Sequence, residues 1–220
     1  MSEKPSFIDT KEETKEARKE PFIIKNIAER LGDIKNFSHI ELFKSKKFTD
    51  FNADDYRLLR KGLFTIGGES NTGKTTLMSN IVLDILQNNP DTAFLFYSLD
   101  DSAIMSELRF ISILKGTDVT KRAAGAFDEP GAGAYFDISA ELDESDKALL
   151  SRVYVTDEQP DLIKHVAGLK ELTGAKNIIA AIDFLQCMRI NGKGDARQGY
   201  NQVCIDLKDA QKKTGILLFL

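Results

Sequence analysis

The chain has 220 residues, 42 % of them hydrophobic and 29 % charged, enough apolar side chain for one full core and ordinary for a globular protein in water. Its 30 Lys and Arg against 34 Asp and Glu give a formal net charge of −4, which argues against a protein that coats nucleic acid at large. A local basic channel remains open, because phosphate binding depends on where cations sit and not on their total. No apolar run approaches the roughly 20 residues of a membrane helix and no secretory signal opens the chain, so a soluble, cytoplasmic protein without a membrane partner is expected.

Residues 1–20 carry Lys11, Glu12, Glu13, Lys15, Glu16, Arg18, Lys19 and Glu20 with few core-forming side chains, and read as a charged flexible tail. Residues 21–61 read as a linker region. Within it Phe22, Ile23, Ile24, Ile27, Ala28 and Leu31 make a short amphipathic helix, packed on its own domain or docked on a neighbour.

A globular domain is expected from residue 62 to residue 220. Leu63-Phe64-Thr65-Ile66 is a short run of strand formers, closed by Gly67 and Gly68. The stretch from Gly68 to Thr75 fits G-x-x-x-x-G-K-T, and Leu77, Met78, Ile81, Val82, Ile85 and Leu86 then recur at helical spacing. Strand, glycine-rich loop and helix in that order define a phosphate-binding P-loop. Its backbone amides at Gly68, Ser70, Asn71, Thr72, Gly73, Lys74, Thr75 and Thr76 face an anion lying at a helix N-terminus, where partial positive charge favours it. The Lys74 ammonium reaches the outer phosphates and the Thr75 hydroxyl ligates Mg²⁺, so ATP with Mg²⁺ is the expected cofactor.

Further along, the pattern alternates strand and helix. Thr92 to Ser98 is a nearly continuous apolar strand, as a sheet buried on both faces requires, and it runs into Leu99-Asp100-Asp101, two carboxylates at the edge where α/β sheets gather ligands. A helix follows with Ile104, Met105, Leu108, Ile111 and Leu114 on one face. The Gly- and acid-rich segment from Gly125 to Asp146 reads as a loop or insertion. A short strand at Arg152 to Val155, a helix from Leu162 to Leu172 and a buried strand from Asn177 to Ile182 complete the alternation, which implies right-handed crossovers and a mostly parallel central sheet flanked by helices. Asp183 closes the last of these strands, where an acid is needed across from Lys74 to orient Mg²⁺ or its water; capping the next helix is the plainer role. Cys187 and Cys204 have no C-x-x-C spacing and are expected as buried free thiols, while His39 and His165 stand isolated in the sequence. Ile216 to Leu220 reads as a core strand, without the further strands that complete a RecA-type sheet.

Gly68 to Thr76, Tyr97-Ser98-Leu99-Asp100, Val153 to Asp157 and Ile182-Asp183-Phe184-Leu185-Gln186-Cys187-Met188-Arg189, taken in order, resemble the ATPase domain of DnaB-like replicative DNA helicases. The resemblance runs from about residue 62 to the C-terminus, and its most specific part is the D-F-L-Q stretch. It implies a RecA-like P-loop core, a ring-shaped homo-oligomer (a hexamer) with ATP hydrolysed at subunit interfaces, translocation on single-stranded DNA, and a primase or loader as partner. Lys74 and Thr75 match the phosphate and Mg²⁺ residues, Asp183 the acid of the second nucleotide motif, and Gln186 a position on the γ-phosphate side. Asp100 falls where the family carries a glutamate that activates the attacking water; its side chain is one methylene shorter, and Asp101 is the fallback at the same edge. Arg189, Lys193 and Arg197, with two glycines between, match a loop facing DNA, and their charge suits phosphate contact without base reading. The family's arginine finger has no counterpart, so the domain reads as C-terminally incomplete. Two other functions fit the same residues: a RecA-like ATPase switch in recombination or loading, and a catalytically weak nucleotide-binding assembly subunit.

Overall fold

The apolar runs of the sequence form a five-stranded, wholly parallel sheet, β1 (Gly62–Phe64), β2 (Thr92–Ser98), β3 (Val153–Thr156), β4 (Asn177–Asp183) and β5 (Leu217–Phe219), in the order β1-β5-β4-β2-β3. Five helices connect and cover it: α1 (Lys74–Asn88), α2 (Ala103–Lys115), α3 (Glu144–Leu150), α4 (Leu162–Thr173) and α5 (Ala196–Thr214). The computed structural model describes residues 43–49, 61–119, 138–189 and 196–220. The tail of residues 1–20 and the amphipathic stretch from Phe22 to Leu31 lie outside them.

Because strand side chains alternate between faces, each strand feeds two cores. Phe94 and Phe96 of β2, Ile179 and Ala181 of β4, and Leu217 and Phe219 of β5 pack with Met78, Ile81, Val82, Ile85 and Leu86 of α1 and with Phe110 of α2. Ala93, Leu95, Tyr97, Ile178, Ala180, Ile182 and Leu218 meet Leu162, Val166 and Leu169 of α4 and Leu207 of α5 on the other side. Every residue of β2 is buried, which is why its sequence is apolar without alternation. Phe110 meets both Phe94 and Phe96 edge-to-face, with centroids 5.7 and 5.4 Å apart. Such ring pairs contribute about 0.5–1.5 kcal/mol beyond the area they bury, and they fix α2 on the sheet.

The sheet register sets the site. Ser98 lies opposite Asp183, and the Leu99 amide donates to the Asp183 carbonyl at 2.9 Å, so β2 and β4 finish level. At the other flank the Leu220 amide donates to Phe64 and the Ile66 amide donates to Leu220, so the chain leaving β1 emerges at the same edge. A RecA-like α/β core is thus present, with the strand ends carrying Asp100, Asp183 and the root of the phosphate loop gathered on one rim.

Some expectations need correction. The segment read as a loop from Gly125 to Asp146 holds, in its described part, a 3-10 turn (Ile138–Glu141) and the start of α3, whose Asp143 and Asp146 form a reciprocal capping box. Acid-rich composition masked a helix start. Neither cysteine is fully buried: Cys187 is partly covered and Cys204 is exposed on α5. His165 is not isolated, since its Nδ1 lies 3.0 Å from the Tyr97 hydroxyl, the rings stack at 5.8 Å, and Glu158 stands 3.8 Å from Nε2. His39 lies outside the described residues.

One segment that the sequence pattern did not single out is bound to α1. Asp84, buried on α1, accepts from the Ser45 hydroxyl and from the Lys46 and Lys47 amides (3.0 and 3.3 Å), while Asn89 pairs with both the amide and the carbonyl of Lys44. Phe43 enters the core beside them, 4 % exposed.

Candidate nucleotide site

The loop between β1 and α1 is shaped by two backbone demands. Asn71 and Gly73 sit at φ 62° and 86°, the left-handed region that asparagine and glycine tolerate best, and Gly73 opens α1 from that conformation. A Cβ on Gly68 would lie 3.0 Å from the Thr72 hydroxyl, so the loop closes on itself too tightly for a side chain there. The Thr72 hydroxyl and the Lys74 ammonium both donate to the Glu69 carbonyl, at 2.8 and 2.6 Å, which ties the loop tip to the first residue of the helix.

No side chain caps the N-terminus of α1 and no acid occupies its first turn. The first bond of the helix runs from the Leu77 amide to Gly73, so the amides of Lys74, Thr75 and Thr76 have no carbonyl within the helix to serve them. They point where an anion is stabilised by the helix dipole.

Across from them stands Asp183. Its Oδ2 accepts from the Thr75 hydroxyl at 2.7 Å, a contact between residues 108 apart in sequence. Lys74, Thr75 and Asp183 line one small cleft with Ile66, Met78, Phe184 and Phe219, so the structure brings together the ammonium, the hydroxyl and the carboxylate singled out from the sequence. A hydroxyl and a carboxylate side by side are hard oxygen donors of the kind Mg²⁺ takes, and together with a cradle of amides they fit a Mg²⁺-nucleotide. Among the described residues no cluster of three or more His, Cys, Asp or Glu is arranged to hold a metal by protein ligands alone.

Asp100 and Asp101 differ in their surroundings. The Asp101 carboxylate is paired with Arg109 of α2 at 2.7 Å, and its carbonyl accepts from the Ser98 hydroxyl, which in turn accepts from Ser106 beneath the turn. Asp100 is exposed at the rim. Burial, followed by the carboxylate charge of Asp100, pushes the Cys187 thiol above its ordinary range; the Phe184 backbone opposes this and Asp183 adds to it. Both acids therefore share the neighbourhood of Cys187. The Ser98–Ser106 pair and Arg109 were not apparent from motif reading, because their roles depend on a contact between the strand end and the next helix.

Gln186 and Arg189 are exposed on the segment leaving β4, with Gln186 in a 3-10 turn (Leu185–Cys187), and Arg197 is exposed in the first turn of α5. Lys193 lies outside the described residues.

The chain shares its fold with solved ATPase domains of this class. It matches the ATPase domain of a DnaB-like helicase with a TM-score of 0.62 and 17 % identity over 90 % of this chain and 70 % of that one. A DnaB-like replicative helicase whose structure was described together with its interactions with primase matches with a TM-score of 0.66 and 18 % identity, over 90 % of this chain and 48 % of that one. The chain thus spans about half the length of the second protein. At these identities the likeness concerns the fold. No protein-family model matches the sequence, and no curated protein does.

Proposed function

We propose that the chain is the motor domain of a DnaB-like DNA helicase: a P-loop ATPase that hydrolyses ATP with Mg²⁺ at subunit interfaces of a homo-oligomeric ring and moves on single-stranded DNA during replication, in the cytoplasm. The observation that carries this reading is the 2.7 Å bond between Thr75 and Asp183, which joins the phosphate loop to the acidic end of β4. Lys74, Thr75 and the first-turn amides of α1 hold the triphosphate, Asp183 holds the metal side, and Asp100, exposed at the same rim, takes the proton of the attacking water. Mg²⁺ supplies charge neutralisation on the phosphates when bound. Arg189, Lys193 and Arg197 contact DNA phosphates, with Gln186 between the two sites. Primase or a loader is the expected partner. Only likeness of fold and matching residues support these roles.

A second reading has its own observation in favour. Asp101 is engaged by Arg109, and Asp100 is shorter than the glutamate of the resembled family. That arrangement suits a subunit that binds nucleotide firmly and turns it over slowly.

Lys74→Ala tests the site itself, with binding of a fluorescent ATP analogue in Mg²⁺ and ATP turnover measured together. Turnover should fall by about 10²–10³, and unchanged binding and turnover would refute the assignment. In the native chain, turnover stimulated by single-stranded DNA supports the motor over the slow subunit, and strand displacement on a forked duplex supports it over a switch without unwinding.

A further inference from the structure

The segment from Gln186 to Arg189 is held from two sides by side chains that the site described above does not use. The Gln159 carboxamide, from the turn between β3 and α4, donates to the Cys187 carbonyl at 3.4 Å and accepts from the Arg189 amide at 2.9 Å. From α5, on the far side of residues 190–195, the Tyr200 hydroxyl donates to the Gln186 carbonyl at 2.9 Å. Three successive backbone groups just beyond Asp183 are thereby fixed by two side chains from different elements. Gln159 spans 28 and 30 residues to make its contacts, and Tyr200 spans 14, so neither is a local turn bond.

A carboxamide suits this position because it offers a donor and an acceptor on one planar group. It meets a carbonyl and an amide two residues apart much as a neighbouring strand would. A carboxylate could still accept from Arg189, yet it would face the Cys187 carbonyl with no proton to give. An apolar side chain would serve neither.

We propose that Gln159 and Tyr200 are positioning residues that fix the base of the DNA-contacting segment, setting where Arg189 stands relative to the acidic end of β4. This rests on the reading of Arg189 as a phosphate contact. Neither side chain touches the nucleotide residues, so both act through the backbone of residues 186–189. Their loss should loosen DNA binding and uncouple it from turnover while leaving the phosphate loop intact.

The test uses the full chain and its Gln159→Leu, Gln159→Glu, Tyr200→Phe and Arg189→Ala variants. Affinity for a fluorescein-labelled thymidine oligonucleotide is read by anisotropy, beside ATP turnover with and without that oligonucleotide and the thermal midpoint of each protein. Losing one or two neutral hydrogen bonds should weaken DNA binding about three- to ten-fold in Gln159→Leu and Tyr200→Phe. Turnover without DNA should stay within about two-fold, and Gln159→Glu, which keeps the Arg189 bond, should fall between wild type and Gln159→Leu. Unchanged DNA affinity in both Gln159→Leu and Tyr200→Phe, with Arg189→Ala impaired, would overturn the positioning role. So would a loss of DNA-free turnover in proportion to DNA binding, which marks general loosening of the fold. Unchanged DNA affinity in Arg189→Ala would instead remove the DNA reading of this segment, a failure distinct from the first.

Discussion

The two ends of α1 are treated in opposite ways. At its N-terminus the amides of Lys74, Thr75 and Thr76 are left without helical, side-chain or acidic partners on the helix itself. At its C-terminus the Arg152 guanidinium donates four hydrogen bonds, to the carbonyls of Leu86, Asn89, Pro90 and Thr92, between 2.9 and 3.4 Å. Asn89 adds a bond from its side chain to Ile85, and Asp84 binds the segment around Ser45. A cation over the last carbonyls and an open first turn both follow the helix dipole. One end stabilises the fold, and the other keeps its polar groups for a ligand. Ligand binding and fold stability should therefore respond to different substitutions along a single 15-residue helix.

The largest effect that would break this contrast is expected at the rim. Asp100→Asn should lower ATP turnover by about 10²–10⁴, the usual contribution of a positioned general base. Binding of the nucleotide analogue should remain, and the urea midpoint should barely move. Retained turnover would shift the proton-accepting role away from Asp100. At the opposite end Arg152→Ala should reduce stability by about 2–3 kcal/mol in urea unfolding, because charge-assisted bonds are lost and carbonyls are left unserved. Turnover per folded molecule should be unchanged at low temperature; a selective loss of turnover would erase the division of labour. Asp84→Asn should cost about 1–2 kcal/mol by the same measurement, since an amide cannot accept as an anion from the Ser45 hydroxyl and the two amides beside it.

The smallest effect concerns pH. Burial, with the charges of Asp161 and Glu158 adding to it, pushes the Tyr97 phenol well above its ordinary value. A raised folded value means that the protonated phenol is favoured in the fold. Its contribution is complete below about pH 10, where the unfolded chain also keeps its proton, and is lost as pH rises beyond that. Tyr97→Phe should therefore flatten the alkaline decline of the unfolding free energy without altering turnover at neutral pH. An unchanged alkaline slope would remove Tyr97 from that role.

Much of this architecture is visible in the sequence because it depends on local pattern. β2 and β4 are apolar runs, α1 and α2 carry helical periodicity, and Asp183 ends a strand at the distance from Lys74 that a RecA-like core requires. What stayed hidden depends on contacts distant in sequence. Arg152 reads as the first residue of a strand, and its capping role exists only because Leu86 to Thr92 lie beside it. Asp84 is one polar residue within an amphipathic helix until Ser45 to Lys47 are placed against it. Asp100 and Asp101 are equivalent in sequence and are told apart only by Arg109, eight residues on. α3 was missed because its start is acidic and short, with Asp143 and Asp146 serving as caps that resemble loop composition.

Sheet order carries one more implication, for biosynthesis. Among the described residues β1 pairs only with β5, through Gly62–Leu217, Leu63–Leu218 and Phe64–Phe219. The strand from which the phosphate loop springs is made early, yet its ladder awaits a partner synthesised about 150 residues later, and such distant pairings form slowly. During translation the glycine-rich loop thus hangs from an unanchored strand, and a nascent polypeptide should gain nucleotide affinity only after β5 clears the ribosomal tunnel.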